Sequence, residues 1–317
     1  MIQTKLKKKD FEEILSNYYI GEYKKSRHIP WALGNTVYIL ETSKGKFVLK
    51  IFENIQDLGY INYQIKIAYF LSKKKVSVPK IVKTKRATCI LRYNKKKVLI
   101  QRFIEGKKPL KLSNDMIKDI AKKMSLMNKN LMKLKLTGKY VWKKDHEFKL
   151  LDYKNTDVNK FNFKEECMSL LSDLKSINRK RLRKSVVHGD CHSVNLLVKG
   201  SKLNAIIDWD DVHEDYLIYE VSTFITHSFL TTKGLMKEFT KLFLKEYQKN
   251  VSFSNEEKKA IYYFIKQRLL TIMEWDEDQM RKHPDMKEYL QRFQNSIVKK
   301  YNAFNKISLE EFMELIG

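Results

Sequence analysis

An α+β chain is predicted: a small, mainly antiparallel sheet in residues 1–104, then a larger and mainly helical part in residues 105–317. Three observations predict it. Runs of β-branched and aromatic residues, separated by short polar turns, crowd the first hundred positions. Apolar residues recur at helical spacing through most of the remaining chain. Between the two, Glu105-Gly106 breaks the pattern and marks a hinge near residues 101–107.

In chain order, residues 10–20 predict a helix, and the stretch from Arg27 to Asn35 predicts irregular chain. Thr36-Val37-Tyr38-Ile39-Leu40, the turn Ser43-Lys44-Gly45-Lys46, and Phe47-Val48-Leu49-Lys50-Ile51-Phe52 form a hairpin pattern. Residues 55–72 carry Ile61, Ile65, Ala68, Tyr69 and Leu71 near helical spacing, and Pro79 closes that segment. Strands are expected at 79–82, 88–93 and 97–104. Beyond the hinge, Ser113 or Asn114 caps a helix over 115–135, and a second helix covers 163–182. Short strands at 185–187, 194–198 and 203–207 surround a polar loop, and the remainder is helical. Ser254-x-x-Glu257 and Ser308-x-x-Glu311 are capping-box patterns, in which serine accepts a backbone N–H and glutamate reaches back.

Composition narrows the function classes. Apolar residues make up 43% and charged residues 32%, the profile of a globular domain rather than a disordered or fibrous chain. Cys89, Cys167 and Cys191 are odd in number and widely spaced, which argues against a disulfide framework and a zinc ribbon and fits a reducing compartment. The basic start runs straight into Asp10, Glu12 and Glu13 rather than an apolar core, and no apolar run approaches the ~20 residues of a membrane span. A cytoplasmic protein without a membrane partner is expected. The net charge of +26 gives a general attraction to polyanions. Its lysines are scattered and not interleaved with aromatics, so no specific nucleic acid is expected. Oligomeric state is not legible.

The chemistry concentrates in Val187-His188-Gly189-Asp190-Cys191-His192-Ser193-Val194-Asn195 and in Ile206-Ile207-Asp208-Trp209-Asp210. Each polar group comes just after a short apolar strand, where a rigid scaffold holds a side chain at an edge. H-x-D-x-x-x-x-N, then an aspartate after the next strand pair, matches the phosphoryl-transfer template. There the first aspartate, Asp190, meets the acceptor hydroxyl, while Asn195 and Asp208 offer oxygens to Mg2+, a hard cation. A transferring phosphoryl group spreads negative charge over its oxygens, so catalysis is positioning plus neutralisation. Lys50, in a strand of apolar neighbours, suits a phosphate partner in the same template.

These residues resemble the aminoglycoside phosphotransferase and choline kinase family. The likeness covers most of the chain, through the Lys50 hairpin, Val78-Pro79, Phe103-Ile104-Glu105-Gly106 and segment 186–210. It implies a protein-kinase-like two-lobed fold and a small-molecule kinase that takes ATP or GTP, Mg2+ and a small hydroxyl-bearing substrate. Asp190 would be the base, His188 would orient its loop, and Asn195 and Asp208 would hold the metal. Lys50 would anchor the phosphates, the stretch Leu33-Gly34-Asn35-Thr36-Val37-Tyr38, with Gly34 and Asn35, would cover them, and the backbone from Gln101 to Phe103 would hold the purine edge. Three positions depart from the pattern. Gln64 stands where a glutamate pairs the strand lysine, Gly34 stands alone in the phosphate loop, and Tyr219-Glu220-Val221 replaces an Asp-Leu-Ala-like step.

Other features admit two readings. His188 and His192 have helical metal-ligand spacing, but Gly189 and the preceding strand point away from a helix. Asp210 and Asp211 either assist the metal or cap the turn, and Cys191 reads as a packed thiol. Glu274, Asp276 and Asp278 form the densest acidic patch, either lining a pocket for a cationic amine or aminoglycoside-like acceptor or facing solvent from a helix. Trp275 beside them would stack on a cation or pack in the core. The alternative to an active kinase is a weak or inactive kinase-like binding protein of the spore-coat type.

Overall fold

The computed structural model describes residues 3–30, 34–53, 57–134, 156, 158 and 161–317. Two units are distinguished by their internal contacts: Met1–Gly106 with Asn204–Ile207, and Lys107–Leu203 with Asp208–Gly317.

The first unit begins with α1 (Lys8–Leu15), which buries Phe11, Ile14 and Leu15 at helical spacing. The strands β1 (Tyr23–His28), β2 (Asn35–Thr42) and β3 (Gly45–Phe52) come next, then α2 (Leu58–Lys73), β4 (Ile81–Val82), β5 (Ile90–Tyr93) and β6 (Lys96–Arg102). Among the described residues they form one six-stranded antiparallel sheet in the order β1-β2-β3-β6-β4, with β5 also on β6. Strand alternation sorts the side chains to two faces. Tyr38, Leu40, Phe47, Leu49, Ile51, Val98 and Ile100 pack with α1, whereas Phe52 and Leu99 pack with Ile61 and Ile65 of α2. β1 is a correction to the irregular chain expected at its end. Its Lys24, Lys25, Arg27 and His28 hide it from a hydrophobic pattern, because an edge strand needs only backbone pairing and is protected by charge.

The second unit contains α3 (Asn114–Leu131), capped by Ser113, which accepts the Met116 N–H at 3.3 Å. α4 (Phe163–Leu174) stops earlier than its periodicity suggests, because Asn178 accepts the Lys180 N–H and opens a separate turn at Arg179–Arg181. β7 (Lys184–Val187), β8 (Leu196–Lys199), β9 (Lys202–Ile206, whose residues from Asn204 on belong to the first unit) and β10 (His213–Tyr216) then surround the polar loop. β10 pairs antiparallel with β7, and β8 with β9. β10 lies in a region expected to be helical, since its His213-Glu214-Asp215-Tyr216 sequence carries no alternating signal. After α5 (Leu217–Ser228), the short hairpin β11 (Leu230–Thr231) and β12 (Gly234–Leu235) leads to α6 (Lys237–Gln248). α7 (Asn255–Lys282), α8 (Lys287–Phe304) and α9 (Leu309–Ile316) close the chain, and both capping boxes form, at Ser254 and Ser308.

One contact fixes α7 against the start of β7. Arg183 donates from Nε and Nη2 to the two oxygens of buried Glu257, at 2.8 and 2.7 Å, while Glu257 also closes the Ser254 capping box. Bidentate geometry and burial make such a pair directional, so the helix and the strand keep one register. Among the described residues no helix is long and apolar enough to cross a membrane.

Candidate active site

The segment after β7 folds as it does because of Gly189. Its φ of +84° is open to glycine, and a Cβ there would lie 2.5 Å from the Asp211 carbonyl oxygen and 2.8 Å from the His213 ring. The sharp turn lets the Gly189 N–H donate to the Glu220 carboxylate on α5 at 3.1 Å. Glu220 is fully buried; burial, against the opposing bond from Gly189, pushes its carboxyl up to about 7. Family resemblance singles out its place, and the structure shows its task of anchoring the loop backbone.

Asp190 is the next residue. Its N–H donates to Nδ1 of His188 at 3.3 Å, and the buried His188 ring packs against Trp209 with centroids 4.6 Å apart. Oδ2 of Asp190 accepts from Nδ2 of Asn195 at 3.0 Å and from Nε2 of His192 at 3.2 Å. Oδ1 accepts from Nη2 of Arg268 at 2.8 Å. Burial works against the charged form of Asp190, but the His192 hydrogen bond and the Arg268 charge outweigh it and hold the carboxyl well below the usual carboxylate range. The bonds therefore favour the charged form of Asp190.

Asn195 sits in a single turn, Ser193–Asn195, where a strand is expected from residue 194; the strand starts at Leu196 instead. Its amide nitrogen is committed twice to Asp190, to the side chain and to the main-chain oxygen at 2.9 Å. The amide oxygen is thus the atom it can offer a cation. Asp208, just past β9, has a left-handed backbone at φ 64° and ψ 67° and opens the turn Trp209–Asp211. A left-handed aspartate is uncommon outside special turns. The pair offers one carboxylate and one amide oxygen, a hard donor set that suits magnesium. Among the described residues no cluster of three or more His, Cys, Asp or Glu side chains could hold a metal.

In the first unit Lys50 lies in β3 between Leu99 and Val37, and its register puts it on the α2 face of the sheet. It is buried, with Nζ 5.3 Å from the centre of the Phe52 ring, and Gln64 is buried on α2. A Cβ built on Gly34 meets nothing within 4 Å, and Asn35 accepts the Glu53 N–H at 3.3 Å. Gln101 pairs with Val48 and Ile81. The Arg102 and Phe103 amides donate to the carbonyls of Lys80 and Lys46, at 2.8 and 3.2 Å. Those two N–H groups are therefore engaged within the protein.

The acidic patch on α7 divides. Asp278 is at the surface and pairs with Lys282, and Glu274 is half-buried. Asp276 is fully buried, and among the described residues neither of its oxygens has a hydrogen-bond partner. Burial, followed by the charge of Glu277, pushes its carboxyl up to about 8. Trp275 is 42% exposed, so the core-packing reading does not hold for it, while Cys191 is buried as expected.

Sequence reading misses Arg268, whose guanidinium also donates to the Tyr219 hydroxyl at 3.0 Å and to Nε2 of His227 at 3.3 Å. Its signal is an arginine in the apolar run around Leu269 and Leu270, where an unpartnered charge is costly.

Comparison with known proteins identifies the family and the fold. The model of the phosphotransferase enzyme family matches residues 27–253. A homoserine kinase of Rhodopseudomonas palustris (strain HaA2) is 22% identical over 316 residues, covering 93% of this chain and 95% of that protein. A microcompartment-associated aminopropanol kinase superposes with a TM-score of 0.78 at 14% identity, covering 96% of this chain and 98% of that one. An amicoumacin kinase in complex with AMP-PNP and Ca2+ gives 0.76 at 15% identity, covering 96% and 97%. These likenesses show the α+β, protein-kinase-like fold that the sequence motifs imply.

Proposed function

This chain belongs to the phosphotransferase enzyme family, and from that premise we propose that it is a small-molecule kinase moving the γ-phosphoryl group of ATP or GTP to a hydroxyl. The observation that carries the reading is the Asp190 carboxylate, kept charged and oriented by donors on both oxygens. In a loose transition state the acceptor proton leaves late, so a weakly basic, well-oriented carboxylate suits the task. Asp190 would align the hydroxyl and take its proton, with His188 and Glu220 fixing the loop beneath it. Asn195 and Asp208 would hold magnesium, which when bound neutralises charge on the phosphates. Lys50 would anchor the phosphates. Gly34, where no atom of the described residues lies within 4 Å of the Cβ position, would let phosphate oxygens approach in the loop with Asn35. Because the Arg102 and Phe103 amides are engaged, the purine edge would fall to other backbone groups near Gln101–Phe103.

The acceptor is a hydroxylated amine in this reading. Asp276 supports it, as a buried carboxyl whose oxygens have no hydrogen-bond partner among the described residues is a group that an ammonium would turn into a paired carboxylate; Glu274 and Asp278 would add to the field. Homoserine and aminopropanol, named in the relatives, both carry an amine as well as a hydroxyl. A second reading, a kinase-like protein with little or no turnover, is favoured by Gln64, since an amide cannot neutralise Lys50. The deciding experiment is magnesium-dependent release of ADP or GDP with L-homoserine, 1-amino-2-propanol, choline and kanamycin as acceptors. Acceptor-dependent release supports the kinase. Binding of magnesium nucleotide without release on any acceptor supports the second reading, and absence of both removes the first.

A further inference from the structure

Arg268 is delivered to Asp190 from 78 residues away, in the middle of α7. Its guanidinium is held on three sides: by Asp190, by the Tyr219 hydroxyl and by His227. Tyr219 and His227 both belong to α5, so one helix supplies the arginine and another aims it. His227 also stacks on His192, with centroids 4.4 Å apart and planes within 20°, and His192 donates to the other oxygen of Asp190. The result is a closed ring, Asp190–Arg268–His227–His192. His227 accepts from Arg268, which requires that nitrogen to be unprotonated, and burial together with the Arg268 charge lowers its proton affinity accordingly.

A carboxylate has about four acceptor positions, two on each oxygen. Oδ2 of Asp190 is filled by Asn195 and His192, whereas Oδ1 carries, among the described residues, only Arg268. The position left for an acceptor hydroxyl is on Oδ1, beside the guanidinium. Two donors on one oxygen do not fix the carboxylate plane, because the terminal torsion of aspartate is broad and roughly two-fold. A third donor on the other oxygen does.

We propose that Arg268 is the positioning residue of the acceptor site, locking the Asp190 plane so that Oδ1 receives the substrate hydroxyl. The proposal rests on the reading of Asp190 as the group that meets that hydroxyl. Arg268→Met keeps length and removes charge and donors; Arg268→Lys keeps charge but cannot reach three acceptors at once. With the acceptor that wild type turns over fastest, kcat should fall about 100-fold in Arg268→Met, the scale of a misaligned reacting group. KM for the nucleotide and its magnesium-dependent affinity should stay within about twofold of wild type, and Arg268→Lys should recover part of kcat. A kcat within about threefold of wild type in folded Arg268→Met overturns the proposal. So does a parallel loss of nucleotide binding in both variants, which would make Arg268 a residue of the fold alone. Crystal structures of the two variants decide the matter independently of turnover. An Asp190 plane rotated away from Asn195 in the methionine variant supports the lock, and an unchanged plane refutes it. If wild type phosphorylates no acceptor, the functional reading fails while the crystallographic comparison still tests the clamp.

Discussion

Asp276→Asn should make the protein more stable and less able to hold a cationic acceptor. The carboxyl titrates at an ordinary 3.8 when exposed and at about 8 in the fold, because burial and then Glu277 oppose its charge. A folded value above the unfolded one means that the native state binds the proton more tightly. Stability from this group is therefore complete below about pH 4 and is lost as pH rises toward 8. A tenfold difference in proton affinity corresponds to about 1.4 kcal/mol, so the ceiling on the loss is about 6 kcal/mol. Asparagine has the same shape and no proton to lose. It leaves a buried amide in place of a buried acid, a cost of about 1–3 kcal/mol that both proteins bear at low pH. Relaxation around a real carboxylate absorbs part of the ceiling, so a gain of at least about 2 kcal/mol is expected at pH 8.5 and close to none at pH 4.5. At about 2 °C per kcal/mol for a chain of this size, Tm should rise by about 4 °C or more at the higher pH. Differential scanning calorimetry at the two pH values measures this directly. In the ADP-release assay, KM for an amine acceptor should rise about tenfold or more, with KM for ATP unchanged. A lower Tm at pH 8.5 would show that Asp276 has a stabilising partner, and an unchanged amine KM would remove it from the acceptor site.

The site leads to three further expected outcomes. Asp190→Asn should cost about 100- to 10,000-fold in kcat, the range for a positioned base, while calorimetry finds nucleotide binding intact. Asp208→Ala should abolish the enhancement of nucleotide affinity by magnesium and leave the magnesium-free affinity alone; equal enhancement in the variant would take Asp208 off the metal. Gly189→Ala should lower Tm by about 4 °C or more, since φ of +84° and a 2.5 Å approach to a backbone oxygen together cost about 2 kcal/mol or more. An alanine variant as stable as wild type, with its Glu220 contact preserved in a crystal structure, would contradict that account.

Much of the architecture is legible in one dimension because it rests on local rules. The Lys50 hairpin is made of two β-branched and aromatic runs that close on Gly45, and both serine capping boxes form where their spacing puts them. The segment from His188 to Asn195 declares its residue types because phosphoryl transfer needs an acid, an amide and a tight turn within a few positions. Elements that depend on distant partners are silent. β1 and β10 are polar strands that exist by pairing with β2 and β7, and nothing in their own patterns announces them.

The candidate site divides along the same line. Which groups could do chemistry is readable from their order along the chain, as is the family, since a motif is a local requirement on residue type. Which groups meet is settled by packing. Arg268 reaches Asp190 through the docking of α7 on α5, Glu220 finds Gly189 across 31 residues, and Asp276 differs from Asp278 by two positions yet lies in the interior while its neighbour pairs with Lys282. The charge state of a carboxylate depends on the water and partners around it. Those are properties of a three-dimensional neighbourhood, and a linear pattern carries them only where the neighbours are also neighbours in sequence.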